Sequence, residues 1–136
     1  MFEKSMILIF SLLFFLTTFG SAQENANLEV KGMVFCTAVE DRQPVGADSL
    51  FFDTVERVYC FTRITGAEDT TSVSHIWYHG DEEMAAVDLA VRSKSWRTWS
   101  SKQIMKEWSG IWRVDVVSSD GKLLISKEFL VKPETE

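Results

Sequence analysis

Apolar and polar residues alternate along much of the chain from residue 28 onwards. This period of two is typical of β-strands that bury one face, because successive side chains of a strand point to opposite sides. In residues 55–65, one face collects four residues of the same parity: Val58, Cys60, Thr62 and Ile64. Residues 110–117 repeat the pattern with Trp112, Val114 and Val116. Both segments are predicted as strands whose regular faces point into a core.

Three further runs are rich in β-branched and aromatic residues and are also predicted as strands: residues 28–39, 72–79 and 122–131. Residues 96–102 are predicted as a strand or a tight connecting hairpin. Residues 84–94 fit two patterns. Met84, Val87 and Val91 would align on one face of a helix, whereas Val87, Leu89 and Val91 alternate as in a strand. The turn-like and strand-like flanks of this segment favour a strand.

Polar or turn-forming residues separate these runs. Residues 40–46 contain Pro and Gly and are predicted as a loop, and the Asp-Gly pair at 120–121 predicts a two-residue hairpin. Residues 50–52 would cap the core or form a short edge strand, and residues 103–108 would form a loop or one helical turn. Seven or eight short strands with regular turns predict an all-β fold, an antiparallel β-sandwich of the immunoglobulin-like class. A small closed β-barrel is the alternative.

Residues 1–22 carry the features of a secretory signal peptide. A lysine precedes an uncharged apolar run at residues 6–19, and Gly-Ser-Ala follows it. The run is shorter than the roughly 20 residues that span a bilayer. We therefore expect cleavage after Ala22, export of residues 23–136 as one domain, and no membrane span after cleavage. An uncleaved N-terminal anchor is the alternative, because Glu3 weakens the basic start of the segment.

The chain is acidic, with a formal net charge of −6, and loss of residues 1–22 leaves this charge unchanged. An acidic protein binds polyanions poorly, so we expect no nucleic-acid partner. Residues 92–113 reverse the balance locally, since they hold six basic side chains, one acid and four of the five tryptophans. Such a segment can bury its rings in a core or present rings and guanidinium groups to a ligand.

Two cysteines, Cys36 and Cys60, lie in predicted strands of the exported part. An oxidising compartment permits a disulfide, which would stabilise the fold by roughly 3 kcal/mol if the two strands face each other inward. The alternative is a pair of buried free thiols that act as small apolar side chains.

The sequence shows no pattern that predicts catalysis, a metal or a cofactor. His75 and His79 are the only histidines, and no cysteine or carboxylate completes a zinc-like set with them. The acidic run at residues 81–83 lacks the pattern of a calcium loop. No Gly-x-Ser-x-Gly motif, activated cysteine or glycine-rich phosphate loop is present.

Aromatic and cationic residues on neighbouring predicted strands indicate a binding surface instead. In an extended chain Arg97, Trp99 and Ser101 share one face. With residues of the strand at 72–79, they form the predicted contact surface: His75, Trp77, Arg97, Trp99, Ser101 and Lys102. For Trp77 and Trp96 a place in the core is an equal alternative, whereas Trp112 is predicted in the core.

Five short motifs occur in order along the chain: Asp41-Arg42-x-Pro44-Val45, Val58-Tyr59-x-Phe61-Thr62, His75-x-Trp77-Tyr78, Trp96-Arg97-Thr98-Trp99-Ser100-Ser101-Lys102 and Gly110-x-Trp112-x-Val114. Together they resemble the bacterial domain of unknown function 2914, over residues 34–131, and the string at 96–102 is the most specific part. The resemblance implies a compact domain of cell-envelope proteins, sometimes attached to membrane segments, whose activity is not established. The pattern does not include Cys36 or Cys60.

Taken together, these observations predict an exported, non-catalytic binding or interaction module of the bacterial cell envelope, periplasmic or at the cell surface. Its partner would be an envelope protein or a polysaccharide. A carbohydrate-binding module is the specific alternative. A hydrolase is a third interpretation, which no residue pattern supports.

Overall fold

The computed structural model describes residues 27–135, so the predicted signal peptide lies outside the described residues. Ten strands follow one another: β1 Glu29–Cys36, β2 Ala38–Glu40, β3 Gln43–Val45, β4 Leu50–Phe52, β5 Arg57–Thr65, β6 Thr71–His79, β7 Glu82–Val91, β8 Ser95–Gln103, β9 Gly110–Ser118 and β10 Leu123–Lys132. Within residues 27–135 no helix could cross a membrane.

Eight of these strands form two open sheets that pack face to face. One sheet has the order β1-β5-β8, and the other has the order β4-β10-β9-β6-β7. Neighbouring strands are antiparallel, except that the short edge strand β4 runs parallel to β10. The predicted β-sandwich is confirmed. The closed barrel is wrong, because each sheet keeps two edge strands.

The inner faces of the two sheets form the core, and the alternation in the sequence identifies them. Val58, Cys60, Thr62 and Ile64 on β5 have no exposed surface. On β9 the same holds for the predicted inward face: Trp112, Val114 and Val116. Of the ambiguous segment 84–94, residues 84–91 belong to strand β7, with Val87, Leu89 and Val91 on its more buried side, and residues 92–94 follow the strand.

Residues 40–46, predicted as a loop, instead belong to a hairpin of β2 and β3, in which Glu40 is paired with Gln43. The two residues between them, Asp41 and Arg42, have φ angles of 50° and 59°. Positive φ at both central positions is the geometry of a type I′ turn, whose twist matches that of paired strands. The prediction of a loop was wrong because glycine, the usual marker of such a turn, is absent from these two positions.

The two cysteines are free and buried, so the predicted disulfide is not present. Strand register gives the reason. Cys36 is paired with Tyr59 and therefore lies on the face of the sheet to which Tyr59 points, the outer face. Cys60 is the next residue and points inward. The two sulfur atoms thus lie on opposite sides of one sheet, a placement that depends on strand register and not on the local sequence.

Candidate functional site

The structure divides the predicted contact surface into two parts. Arg97, Trp99 and Ser101 lie on the outer face of the three-stranded sheet and are partly exposed, as their spacing predicts. Lys102 has the opposite parity, and its Nζ atom lies 5.1 Å from the centroid of the Trp108 ring. These residues remain candidates for contact with a partner.

His75 and Trp77 do not lie on this surface. Both belong to β6 in the other sheet, point into the core and have no exposed surface. The predicted surface must therefore be corrected by removing them. Alternation along β6 places Val73, His75 and Trp77 on one face, and packing against the other sheet buries that face.

His75 takes part in a hydrogen-bond network that links the two sheets. The Thr62 hydroxyl donates to the Thr98 carbonyl at 2.8 Å, so its single proton is used. The His75 Nε2 atom, 3.2 Å from the Thr62 oxygen, must then carry a proton and donate it. The Ser100 hydroxyl accepts from Trp77 Nε1 at 3.0 Å and donates to His75 Nδ1 at 2.7 Å.

This network makes His75 a neutral structural residue. Burial disfavours the charged imidazolium and lowers the pKa of His75 to about 4. Ser100 and His75 form a serine–histidine pair, but only 6% of Ser100 and none of His75 are exposed. A substrate therefore cannot reach the pair in this conformation.

The outer face of the three-stranded sheet carries a different chemistry. Register places Arg63 opposite Arg97, and Phe61 opposite Trp99. The Phe61 and Trp99 rings stack with their centroids 5.9 Å apart. Two arginines directly opposite each other repel in an antiparallel pair, so this arrangement favours an anionic ligand between them.

The hairpin of β2 and β3 crosses this face and brings a further arginine to it. At its tip, the Arg42 carbonyl accepts a hydrogen bond from Arg97 Nη1 at 3.2 Å. The Arg42 guanidinium lies 5.3 Å from the centroid of the Trp96 ring. The backbone of Arg42 is in the left-handed region, a conformation that glycine would adopt without strain. Backbone strain of this kind is often found at functional positions.

Two pockets flank Arg97, and this side chain lines both. The first, which we call the tip pocket, has a volume of about 330 Å³, and its lining includes Arg42, Arg92, Arg97, Trp96 and Trp99. The second, the side pocket, has a volume of about 280 Å³, and its lining includes Met33, Pro44, Phe61, Arg63 and Arg97. None of the described residues that line either pocket is acidic.

We call Arg42, Arg63, Arg92 and Arg97 together the arginine surface. Among residues 27–135 the ion pairs are Lys31 with Glu29 and Arg113 with Asp115, so no carboxylate in that range forms an ion pair with the arginine surface. The sequence prediction missed Arg42, Arg63 and Arg92. Arg63 shares the parity of the outer face of β5 in the sequence, but its place beside Arg97 depends on strand register.

A larger pocket of about 480 Å³ lies between the loop before β5 and the segment after β8. Its described lining mixes charges, with Asp53, Glu56 and Lys106, and contains no aromatic ring. The described residues also contain no group of three or more side chains that could hold a metal ion. The arginine surface is therefore the stronger candidate for a binding site.

Comparison with known proteins gives limited matches. No curated protein matches the chain. Among solved structures, a β-glucosidase from Listeria innocua in complex with glucose matches with 12% identity and a TM-score of 0.44, over 77% of this chain and 16% of that one. A score at this level carries no argument about function. Residues 70–131 match the model of a family described as a protein of unknown function (DUF2914), which confirms over those residues the resemblance predicted from the string at 96–102.

Proposed function

We propose that this protein is a non-catalytic binding module of the bacterial cell envelope and that the arginine surface contacts its ligand. The observation that supports this proposal is that four arginines without an ion-pair partner among the described residues line two adjoining pockets of a chain with net charge −6. Clustered like charges repel, and an anionic ligand would relieve that repulsion. Guanidinium groups also bind carboxylate and phosphate oxygens through paired hydrogen bonds.

The burial of the nucleophilic side chains supports the non-catalytic part of the proposal. Burial raises the pKa of both thiols, Cys36 and Cys60, whereas a reactive cysteine needs a lowered pKa. The one serine–histidine pair described above is enclosed between the sheets. The envelope location rests on the predicted signal peptide and on the family resemblance.

A protein-interaction surface on the opposite side of the sandwich is the second candidate. On the outer face of the five-stranded sheet, Leu130 is paired with Leu50 on one side and with Ile111 on the other. Ile111 is 56% exposed, and Leu50 is 36% exposed. Exposed apolar residues beside a short edge strand are typical of contacts with another protein.

One retention experiment separates these two surfaces. The purified protein is immobilised and incubated with a cell-envelope fraction, and the retained proteins and glycans are identified. We expect Arg97→Ala with Trp99→Ala to abolish retention of the ligand. Lys132→Ala, on β10 of the other sheet, removes one positive charge as Arg97→Ala does and should leave retention unchanged. Circular dichroism and thermal melts establish that each variant is folded.

Two results would reject the arginine surface. Retention that survives the double substitution but is lost in Ile111→Asp would move the contact to the five-stranded sheet. Equal loss in Lys132→Ala would also reject the arginine surface, because Lys132 lies on the outer face of the other sheet. If the double variant unfolds, the single substitution Arg97→Ala, which leaves the stacked rings in place, decides the question.

A further inference from the structure

We infer that the tip pocket and the side pocket bind neighbouring sugar units of an acidic polysaccharide, with Arg97 between the two units. This inference rests on the proposed function and specifies the class of ligand. It follows from the sizes of the pockets, from the side chains that they share, and from the backbone conformation of Arg42.

The pockets have the size and spacing that a chain of small units requires. Their volumes, about 330 and 280 Å³, lie near the lower end for small-molecule sites, which is about 300 Å³. Because Arg97 lines both, the pockets adjoin each other. A linear polymer could therefore place one unit in each pocket without a gap between them.

Each pocket combines at least two guanidinium groups with apolar surface. Arg97 and Arg63 face the side pocket beside Phe61. The tip pocket has Arg97, Arg42 and Arg92 beside Trp96 and Trp99. Arg97 uses one nitrogen for the Arg42 carbonyl, and a guanidinium has five N–H donors, so most of its donors stay available for a ligand.

This combination fits a sugar that carries a carboxylate. The carboxylate accepts paired hydrogen bonds from a guanidinium, while the C–H face of the sugar ring packs against an aromatic ring. Polyphosphate supplies charge without an apolar face. An acidic peptide can bind an arginine cluster through its carboxylates, but it offers no C–H face of a sugar ring to the aromatic side chains that line both pockets.

The backbone of Arg42 supports a role for its side chain. Its φ of 59° is a conformation in which glycine is favoured, and glycine would close the same turn without strain. Arginine at this position places a guanidinium over Trp96 at the mouth of the tip pocket. The side chain thus contributes a charge to the site that glycine could not.

The test uses four defined polymers as probes, with binding measured by calorimetry at low ionic strength. Polygalacturonate carries sugar rings and carboxylates, dextran carries rings alone, poly-L-glutamate carries carboxylates alone, and polyphosphate carries charge alone. We expect polygalacturonate to bind and the other three to bind at least about tenfold more weakly, a difference of about 1.4 kcal/mol. Added salt should weaken the binding of polygalacturonate.

Variants test the site itself. Arg97→Ala and Arg42→Gly should each lower the affinity for polygalacturonate about tenfold or more, and Lys132→Ala should leave it unchanged. Arg42→Gly removes the guanidinium and relieves the turn, so weaker binding by this variant cannot be attributed to strain at residue 42.

Three outcomes would overturn the inference. If poly-L-glutamate or polyphosphate binds as tightly as polygalacturonate, the site recognises negative charge alone and the sugar ring is not required. If Lys132→Ala and Arg97→Ala lower the affinity for polygalacturonate equally, the two pockets are not the binding site. Failure of every polymer to bind would exclude an acidic polysaccharide, while retention of an envelope ligand that depends on Arg97 would still uphold the proposed function.

Discussion

His75 shows at the scale of single residues how burial and hydrogen bonding select one protonation state. Thr62 and Ser100 satisfy both ring nitrogens of the neutral imidazole, and no charged group takes part in these bonds. Protonation of Nδ1 would break the bond that Ser100 donates and would place a charge between the sheets. Each consequence disfavours the imidazolium, so the network holds only while the ring is neutral.

Stability should therefore depend on pH between about 6.5 and 4. Because the pKa of His75 is lowered to about 4 in the folded state, the unfolded chain binds more protons in this range. The free energy of unfolding then falls as the pH is lowered, by roughly 1 kcal/mol per pH unit and by about 3 kcal/mol in total. Urea unfolding at pH 7, 6 and 5 measures the slope, which His75→Gln should reduce.

The other histidine supplies the control. His79 donates to the Ser109 carbonyl from outside the network, so His79→Gln leaves the His75 hydrogen bonds in place and should keep the wild-type slope. An unchanged slope in His75→Gln, or a slope lost in His79→Gln, would show that another group governs the acid response.

At the scale of secondary-structure elements, the hairpin of β2 and β3 combines a common turn with an uncommon residue. The short strands and the type I′ turn direct the tip towards β8, where Arg97 donates to the Arg42 carbonyl. Gly46 ends the hairpin with a φ of 71°, and a side chain there would collide with Thr37. Residue 42 is thus an arginine at a position where the geometry of the turn favours glycine.

A comparison of two substitutions measures the strain at residue 42. We expect Arg42→Gly to have a free energy of unfolding about 1 kcal/mol higher than Arg42→Ala, because alanine retains the left-handed penalty. Both variants lack the guanidinium over Trp96, so its loss cancels in the comparison. Chemical denaturation of the two proteins gives the difference, and equal stabilities would mean that the turn is not strained.

At the scale of the whole molecule, Phe129 on β10 joins the aromatic residues of the core. Its ring centroid lies between 4.5 and 6.1 Å from four others, on both sheets: Phe35, Phe51, Trp77 and Trp112. Phe35 belongs to the three-stranded sheet, and the other three belong to the five-stranded sheet. Phe129 therefore contributes to the contact between the sheets as well as to the packing within one of them.

Loss of this ring should destabilise the entire fold. Phe129→Ala removes a side chain that is 2% exposed, and we expect it to lower the free energy of unfolding by about 3–5 kcal/mol. Leu123→Ala on the same strand, at a residue that is 54% exposed, should change it by less than about 0.5 kcal/mol. Thermal and urea unfolding of both variants test this, and similar values for the two would contradict the central place of Phe129.

Much of the fold could be predicted from the sequence, because alternation is a local property. The inward faces of β5 and β9 follow from a period of two, and so does the common face of Arg97, Trp99 and Ser101. The same pattern favours a strand over a helix for β7. The side of a strand to which a residue points thus depends on parity, which can be read without knowing the partner strand.

Pairing and register, in contrast, depend on contacts between distant parts of the chain. They place Cys36 and Cys60 on opposite faces, bury His75 and Trp77, and set Arg63 beside Arg97. The hairpin then adds Arg42 to the same face. The sequence by itself determined the strands and their alternating sides, whereas only the tertiary structure decided which sides are covered and which arginines meet. The physical reason is that burial and charge clustering arise from packing between strands, which local periodicity does not encode.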